Sequence, residues 1–129
     1  MITFVNPPDV HSPTGYSHTA TVPSGTELFF LSGQVGIRPD GSTPSTLEEQ
    51  SVQMFSNIKA LLLAHGLDAT SIVKITLFIV AGQDIRVVRS ARAEFLGNHK
   101  PTSTAVFISQ LVDPRLLIEC EAFAAKSAT

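Results

Sequence analysis

Between Val73 and Val80 the chain alternates Val73, Ile75, Leu77 and Ile79 with Lys74, Thr76, Phe78 and Val80, so one face is wholly apolar and the other largely so. A two-residue period puts alternate side chains on opposite faces of a strand, and apolar residues on both faces belong inside a sheet rather than at its rim. The segment predicts a central strand, and the rest of the chain has to supply a cover for each face.

Two helices supply one cover. Ser45-Thr46-Leu47-Glu48 fits a capping box, in which a hydroxyl and a carboxylate satisfy the free amide donors of a helix start. Leu47, Met54, Ile58, Leu61 and Leu62 then recur at helical spacing with Glu48, Glu49, Gln53 and Lys59 between them, and Gly66 offers a left-handed stop. Asp84 can cap a second helix that buries Ile85, Val88, Ala91 and Phe95, leaves Arg86 and Arg89 toward the polar side, and ends at Gly97-Asn98.

Further strands complete the sheet. Tyr16–Val22 and Glu27–Gln34 flank Pro23-Ser24-Gly25-Thr26, a turn of hairpin length, and are expected to pair antiparallel. Asn6–Thr14, with three prolines, reads as a loop ahead of regular pairing, and Arg38-Pro39-Asp40-Gly41-Ser42 closes the second strand. Thr102–Ser109 and Leu116–Ala124 follow the second helix, separated by a loop with Asp113-Pro114. The order ββαβαββ predicts one α+β domain over residues 1–129, a mixed sheet with both helices on one face. The other face then calls for self-association as its cover.

Composition excludes several function classes. A formal charge of -2 lacks the positive field that draws a phosphate backbone, so a dedicated nucleic-acid binder is disfavoured. The start Met1-Ile2-Thr3-Phe4 has no cationic region and no stretch approaches the roughly eighteen apolar residues of a membrane span, so the chain reads as cytoplasmic with no membrane partner. Cys120 is the only cysteine, which fits a reducing compartment and rules out paired-cysteine metal motifs. His11, His18, His65 and His99 show no metal-ligand spacing, so no metal is expected. Ser32-Gly33-Gln34-Val35-Gly36 lacks the offsets of a nucleophile elbow or a phosphate loop, and its glycines are read as allowing close backbone approach.

Five stretches in fixed order carry a family resemblance: Pro13-Thr14-Gly15-Tyr16-Ser17, Phe30-Leu31-Ser32-Gly33-Gln34, Glu49-Gln50 with Asn57-Ile58-Lys59, Val73-Lys74-Ile75-Thr76, and Ile118-Glu119-Cys120-Glu121-Ala122. Together they resemble the RidA/YjgF family, also called L-PSP endoribonuclease-like. The resemblance implies a chorismate-mutase-like fold, a homotrimer with a central sheet-lined barrel, and small-molecule clefts between subunits. It implies hydrolysis of enamines or imines to carbonyl compounds and ammonia, without a cofactor. By the same resemblance Tyr16 matches the cleft tyrosine, Ser32 and Gly33 the Ser-Gly pair, and Glu119 the water-positioning glutamate.

The chain departs from the family at the clamp. Pro101-Thr102-Ser103-Thr104 aligns with a Pro-x-Arg-Ser stretch, so Ser103 replaces the arginine that grips the substrate carboxylate through a planar double hydrogen bond. Ala105 stands where cysteine is common, and Arg89 stands where many active members have asparagine. Arg89 is therefore the candidate replacement clamp; its plainer alternative is a surface arginine paired with an acid.

Glu119 and Glu121 share a parity on the last strand and are either a catalytic carboxylate with a neighbour or two solvated strand-face charges. Cys120 faces the other way, as a small buried hydrophobe rather than a nucleophile. Two functions remain: a metal-independent deaminase with altered substrate range, and a noncatalytic trimer that binds a metabolite or a partner. Ribonuclease activity ranks last, because the acidic balance and single tyrosine offer neither a phosphate track nor a stacking platform.

Overall fold

A computed structural model of the chain describes residues 1–126. Two short strands, β1 (Thr3–Val5) and β2 (Thr19–Thr21), pair with each other and stand apart from the main sheet. The main sheet holds β3 (Glu27–Val35), β4 (Ile72–Val80), β5 (Thr102–Ile108) and β6 (Ile118–Lys126) in the order β3-β6-β4-β5. β6 runs antiparallel to β3 and β4, while β5 lies parallel to β4 and is reached through the second helix, as a parallel crossover requires. The sheet is mixed and β4 is internal, as its sequence predicts.

The expected hairpin between the second and third strands does not form. The Pro23–Thr26 turn is present, with the Thr26 hydroxyl donating to the Pro23 carbonyl at 2.6 Å, but it carries the chain from the small sheet into the large one. β3 takes β6 as its partner instead, a long-range pairing that buries Leu31 together with Ala122 and Ala124. Strand pairing also begins earlier than expected, at Thr3, ahead of the proline-rich loop.

The first helix, α1 (Leu47–Ala64), is capped one residue later than its sequence predicts: Thr46, not Ser45, is the cap, and its Oγ1 accepts the Glu49 amide at 3.2 Å. Both hydroxyl residues have a glutamate three positions on, so the pattern is met twice in one run. Its far end closes as expected. Gly66 takes φ +71°, its amide reaches the Leu63 carbonyl at 3.0 Å, and the Leu67 amide reaches the Leu62 carbonyl at 2.9 Å, a Schellman arrangement with Leu62 and Leu67 both buried. Asp84 caps the second helix, α2 (Ile85–Leu96), accepting the Arg86 amide at 3.0 Å.

The core joins Met54, Ile58 and Leu62 of α1 and Val88 and Leu96 of α2 to Ile75, Leu77 and Ile79 of β4 and Ile118 and Cys120 of β6. Leu61, expected in this stripe, is 37% exposed, because it sits a full residue step around the helix from Leu62; Phe55 takes the inward place. On the opposite face of the sheet Phe30, 72% exposed, meets Phe123 edge to face at 5.2 Å, and Val106 is also exposed. One face is thus covered by helices and the other left partly apolar and open.

One buried polar residue ties the layers together. Gln50, 1% exposed, donates through Nε2 to the carbonyls of Pro44 and Arg115 at 2.9 and 3.0 Å and accepts the Leu117 amide at 2.8 Å. It fixes the start of α1 to the loop that leads into β6. Replacing Gln50 by Ala strands three backbone groups, and urea unfolding should show a loss of about 2–4 kcal/mol, against under about 0.5 kcal/mol for a Lys59→Ala control at an exposed position of the same helix.

Candidate active site

The site begins with how the loop before β2 is held. Ser17 is buried; its amide donates to the Pro101 carbonyl at 3.0 Å and its hydroxyl to the Lys100 carbonyl at 2.5 Å, and it bridges in parallel to Thr102. This pins the segment from His11 to Tyr16 along the outer edge of the sheet, beside β5. Between that segment, α2 and β5 lies a groove of about 810 Å³, with Tyr16, Arg89, Arg92, Ser103 and Ala105 in its walls and Leu77 and Val88 in its floor.

Four of the seven sequence-predicted site residues are thereby brought together: Tyr16, Arg89, Ser103 and Ala105. Ser103 and Ala105 face the groove because they share the parity of Ile75 and Leu77, the helix-covered side. Arg89 is exposed to the groove and belongs to none of the ion pairs among the described residues, which join Arg38 to Glu49, Arg86 to Asp84 and Arg115 to Asp113. The alternative of Arg89 as a charge satisfied by a neighbouring acid therefore lacks its acid.

The tyrosine is organised by histidines. Tyr16 Oη and His11 Nε2 share a hydrogen bond of 2.9 Å, His18 donates from Nε2 to the His11 carbonyl at 2.7 Å, and the His18 ring stands edge-on to both Tyr16 and His11. A phenol held this way has its oxygen fixed beside His11, and both residues line the groove. His11 and Arg92 are groove residues that the sequence reading did not single out. Arg92 had a signal, since it sits three positions after Arg89 on the same helix. His11 had none, because only the tertiary course of the loop places it against Tyr16.

Ser32, Gly33 and Glu119 are elsewhere. The first two lie on β3, an outer strand of the sheet, and Glu119 on the adjacent β6, paired with Val35 on one side and Phe78 on the other. Glu119 has the parity of Phe78 and Phe123, opposite to the buried Cys120, so its half-buried side chain lies on the open face. It passes directly over Gly33, where a Cβ would stand 2.8 Å from Cδ of Glu119. The pairing of β3 with β6 shifts register between Leu31 and Gln34. The close backbone approach expected of the glycines in this stretch is found at Gly36, where a Cβ would stand 2.6 Å from Cα of Gln50, whereas at Gly33 the crowding atoms belong to the Glu119 side chain.

From β5 to β6 is two strand steps, about 10 Å, and the sheet itself lies between the two faces. A small ligand in the Tyr16–Arg89 groove cannot touch Glu119 of the same chain. A further depression of about 630 Å³ between α1 and α2 contains none of the candidate residues. Among the described residues no group of three or more His, Cys, Asp and Glu side chains is placed to hold a metal ion, and no helix is long and apolar enough to cross a membrane.

Cys120 is fully enclosed, and burial first, then the carboxylates of Glu121 and Glu119, push its thiol up to about 12. It is a packing residue in this fold, as its parity predicts.

Comparison with known proteins identifies the family. The endoribonuclease L-PSP family profile matches residues 9–126. A RutC family protein of Pyrococcus horikoshii is 33% identical over 101 residues, covering 77% of this chain and 79% of that protein. TdcF of Escherichia coli, given by name as a candidate reactive intermediate deaminase, is 30% identical over 105 residues, 78% of this chain and 81% of its own. The crystal structure of TdcF with bound serine superposes with a TM-score of 0.73 at 28% identity, over 90% of this chain and 91% of that one. The Rid family protein YyfB of Yersinia pestis, described as of unknown function, reaches a TM-score of 0.86 over 97% and 98% of the two chains at 24% identity, a likeness of fold. The fold and the arrangement of strands define a protein of the L-PSP type. The chain belongs to the RidA/YjgF family.

The buried thiol gives a pH prediction. A folded thiol that keeps its proton to higher pH than the unfolded one contributes stability that is complete below its ordinary value of 9.0 and lost as pH rises from there to about 12. Urea unfolding on either side of pH 9.0 should show a steeper alkaline decline for the wild type than for Cys120→Ala; parallel declines would contradict the assignment.

Proposed function

We propose that this chain is a metal-independent deaminase that hydrolyses a small carboxylated imine or enamine to a carbonyl compound and ammonia, in a site completed by a second copy of itself. The observation that carries the reading is the division of the polar groups. Tyr16 and Arg89 line a groove on one face of the sheet, and Glu119 sits over Gly33 on the other, each lacking what the other has.

Arg89 takes the substrate carboxylate, in place of the arginine absent at Ser103, since a guanidinium offers a paired donor edge that serine cannot. Tyr16, backed by His11, hydrogen-bonds the substrate at its reacting end. Glu119 from a neighbouring copy orients a water and accepts its proton as the oxygen adds to the C=N carbon. The proton taken from water passes to the nitrogen, the hydroxyl proton of the tetrahedral adduct follows it as the C=O bond forms, and the C–N bond breaks to release ammonia, both hydrogens of the water having ended on nitrogen. An enamine enters the same course once its carbon is protonated to the imine.

A head-to-tail contact brings the β5-side groove of one copy against the β3–β6 face of the next, and repetition of such a contact closes into a ring. We assign a homotrimer with its sheets inward, supported by the open face where Phe30 and Phe123 are exposed. A cytoplasmic setting fits the single, unpaired Cys120.

A second reading, a trimer that binds a metabolite or partner without turnover, is favoured by one observation: Ser103 lines the groove at the position where the family's clamp would stand. Ammonia release across acyclic and cyclic imines separates the two. The deaminase reading expects turnover that falls about 10²–10⁴-fold in Glu119→Gln. Gly33→Ala, which displaces only the flexible end of the Glu119 side chain, should lose activity while keeping its melting temperature within a few degrees. A ligand that raises the melting temperature with no product formed would decide for binding alone.

A further inference from the structure

The groove holds a second cation that the reaction above does not use. Arg92 follows Arg89 by three residues on α2, and both line the groove; residues so spaced share a helix face, with Cβ atoms about 5–6 Å apart. Arg92 packs over the loop, its Nη2 3.1 Å from where a Cβ on Gly15 would stand. Partial burial first, and then the like charge of Arg89, disfavour its charged form.

Among the described residues nothing answers that charge. None of the residues lining the groove is an acid, and among the described residues neither guanidinium takes part in an ion pair. The other polar side chains of the wall, those of His11, Ser12, Thr14, Tyr16 and Ser103, include no carboxylate. The α2 arginine outside the groove, Arg86, is by contrast doubly bonded to Asp84, at 3.1 and 2.9 Å. Two like charges gathered in a concave, partly desolvated wall cost free energy, and an anion is the partner that recovers it.

We propose that Arg92 binds a second anionic group, so that the groove selects small ligands carrying two negative groups, one held at Arg89 and the other at Arg92. The inference rests on the reading of Arg89 as a carboxylate clamp and adds the substrate class. One carboxylate bridged by both arginines would give no such selection, and it would be marked by equal weakening of mono- and two-anion ligands when Arg92 is replaced. The second group is a carboxylate or a phosphate, both of which fit the guanidinium fork.

Calorimetric titration of the full-length protein at low salt with pyruvate, 2-oxoglutarate and phosphoglycolate tests this without requiring turnover. At least one of the two dianions should bind about tenfold or more tightly than pyruvate, and the tighter of them identifies the second group. In Arg92→Gln that preference should collapse to within about twofold while pyruvate affinity changes little, and Arg92→Lys should keep part of it. Unchanged melting temperatures of the unliganded variants establish that they fold. Binding of all three ligands within about twofold in the wild type, or equal weakening of pyruvate and the dianions in Arg92→Gln, would overturn the proposal, as would no binding of either dianion at about 10 mM. Arg89→Gln serves as the separate control: if it leaves pyruvate binding unchanged, the clamp reading itself fails, whatever Arg92 does.

Discussion

The pairing of β6 with β3 on one side and β4 on the other governs the rest of the molecule. Held from both edges, β6 cannot rotate, so Cys120 must enter the helix-covered core and Glu119 must stand on the open face. The same constraint passes through β4 to β5, where Ser103 and Ala105 are turned toward α2 and the groove. The sheet is therefore a wall between the carboxylate and the arginines. In the chemistry proposed above, the groove and the Glu119 face are two halves of one site, and a second copy supplies the half that each chain lacks.

The polar groups of the groove are divided among the loop, β5 and α2. A serine at position 103 leaves room and hydroxyls on the strand side, and the positive charge comes from Arg89 and Arg92 on the helix side. A helix-borne guanidinium approaches a ligand from a different direction than a strand-borne one, and the proposed pairing of Arg89 with Arg92 would set a spacing between two anionic groups. The loop that carries Tyr16 is fixed by backbone contacts of Ser17 to Lys100 and Pro101, so the phenol position follows from the start of β5 rather than from the loop's own composition. His11 then determines how the phenol hydrogen bond is shared.

Much of this was legible in the residues. The internal strand Val73–Val80, the Gly66 stop, the Asp84 cap and the inward parity of Cys120 all follow from local period and capping chemistry, and all hold. The misread parts share a cause. β2 was assigned to β3 because the Pro23–Thr26 turn has hairpin length, but which strand lies beside β3 is decided by the distant β6, which no local turn records. β1 is three residues long, too short for a period to show. Ser45 and Thr46 present the same capping pattern one residue apart, and the packing of Leu47 against the core accompanies the choice of Thr46. In the site, Tyr16, Arg89, Ser103 and Ala105 were identified by resemblance and by departure from it. Arg92 needed the helix spacing to be followed one turn further, and His11 needed the folded loop.

The direct measurement of a site shared between copies is complementation. Tyr16→Phe and Glu119→Gln, each weak in ammonia release alone, should regain activity when unfolded together and refolded as a mixture, toward about a quarter of the wild-type rate, the chance that an intact groove meets an intact Glu119. A mixture no more active than its parents, from assemblies shown to contain both chains, would place all the reacting groups within one chain and contradict the account.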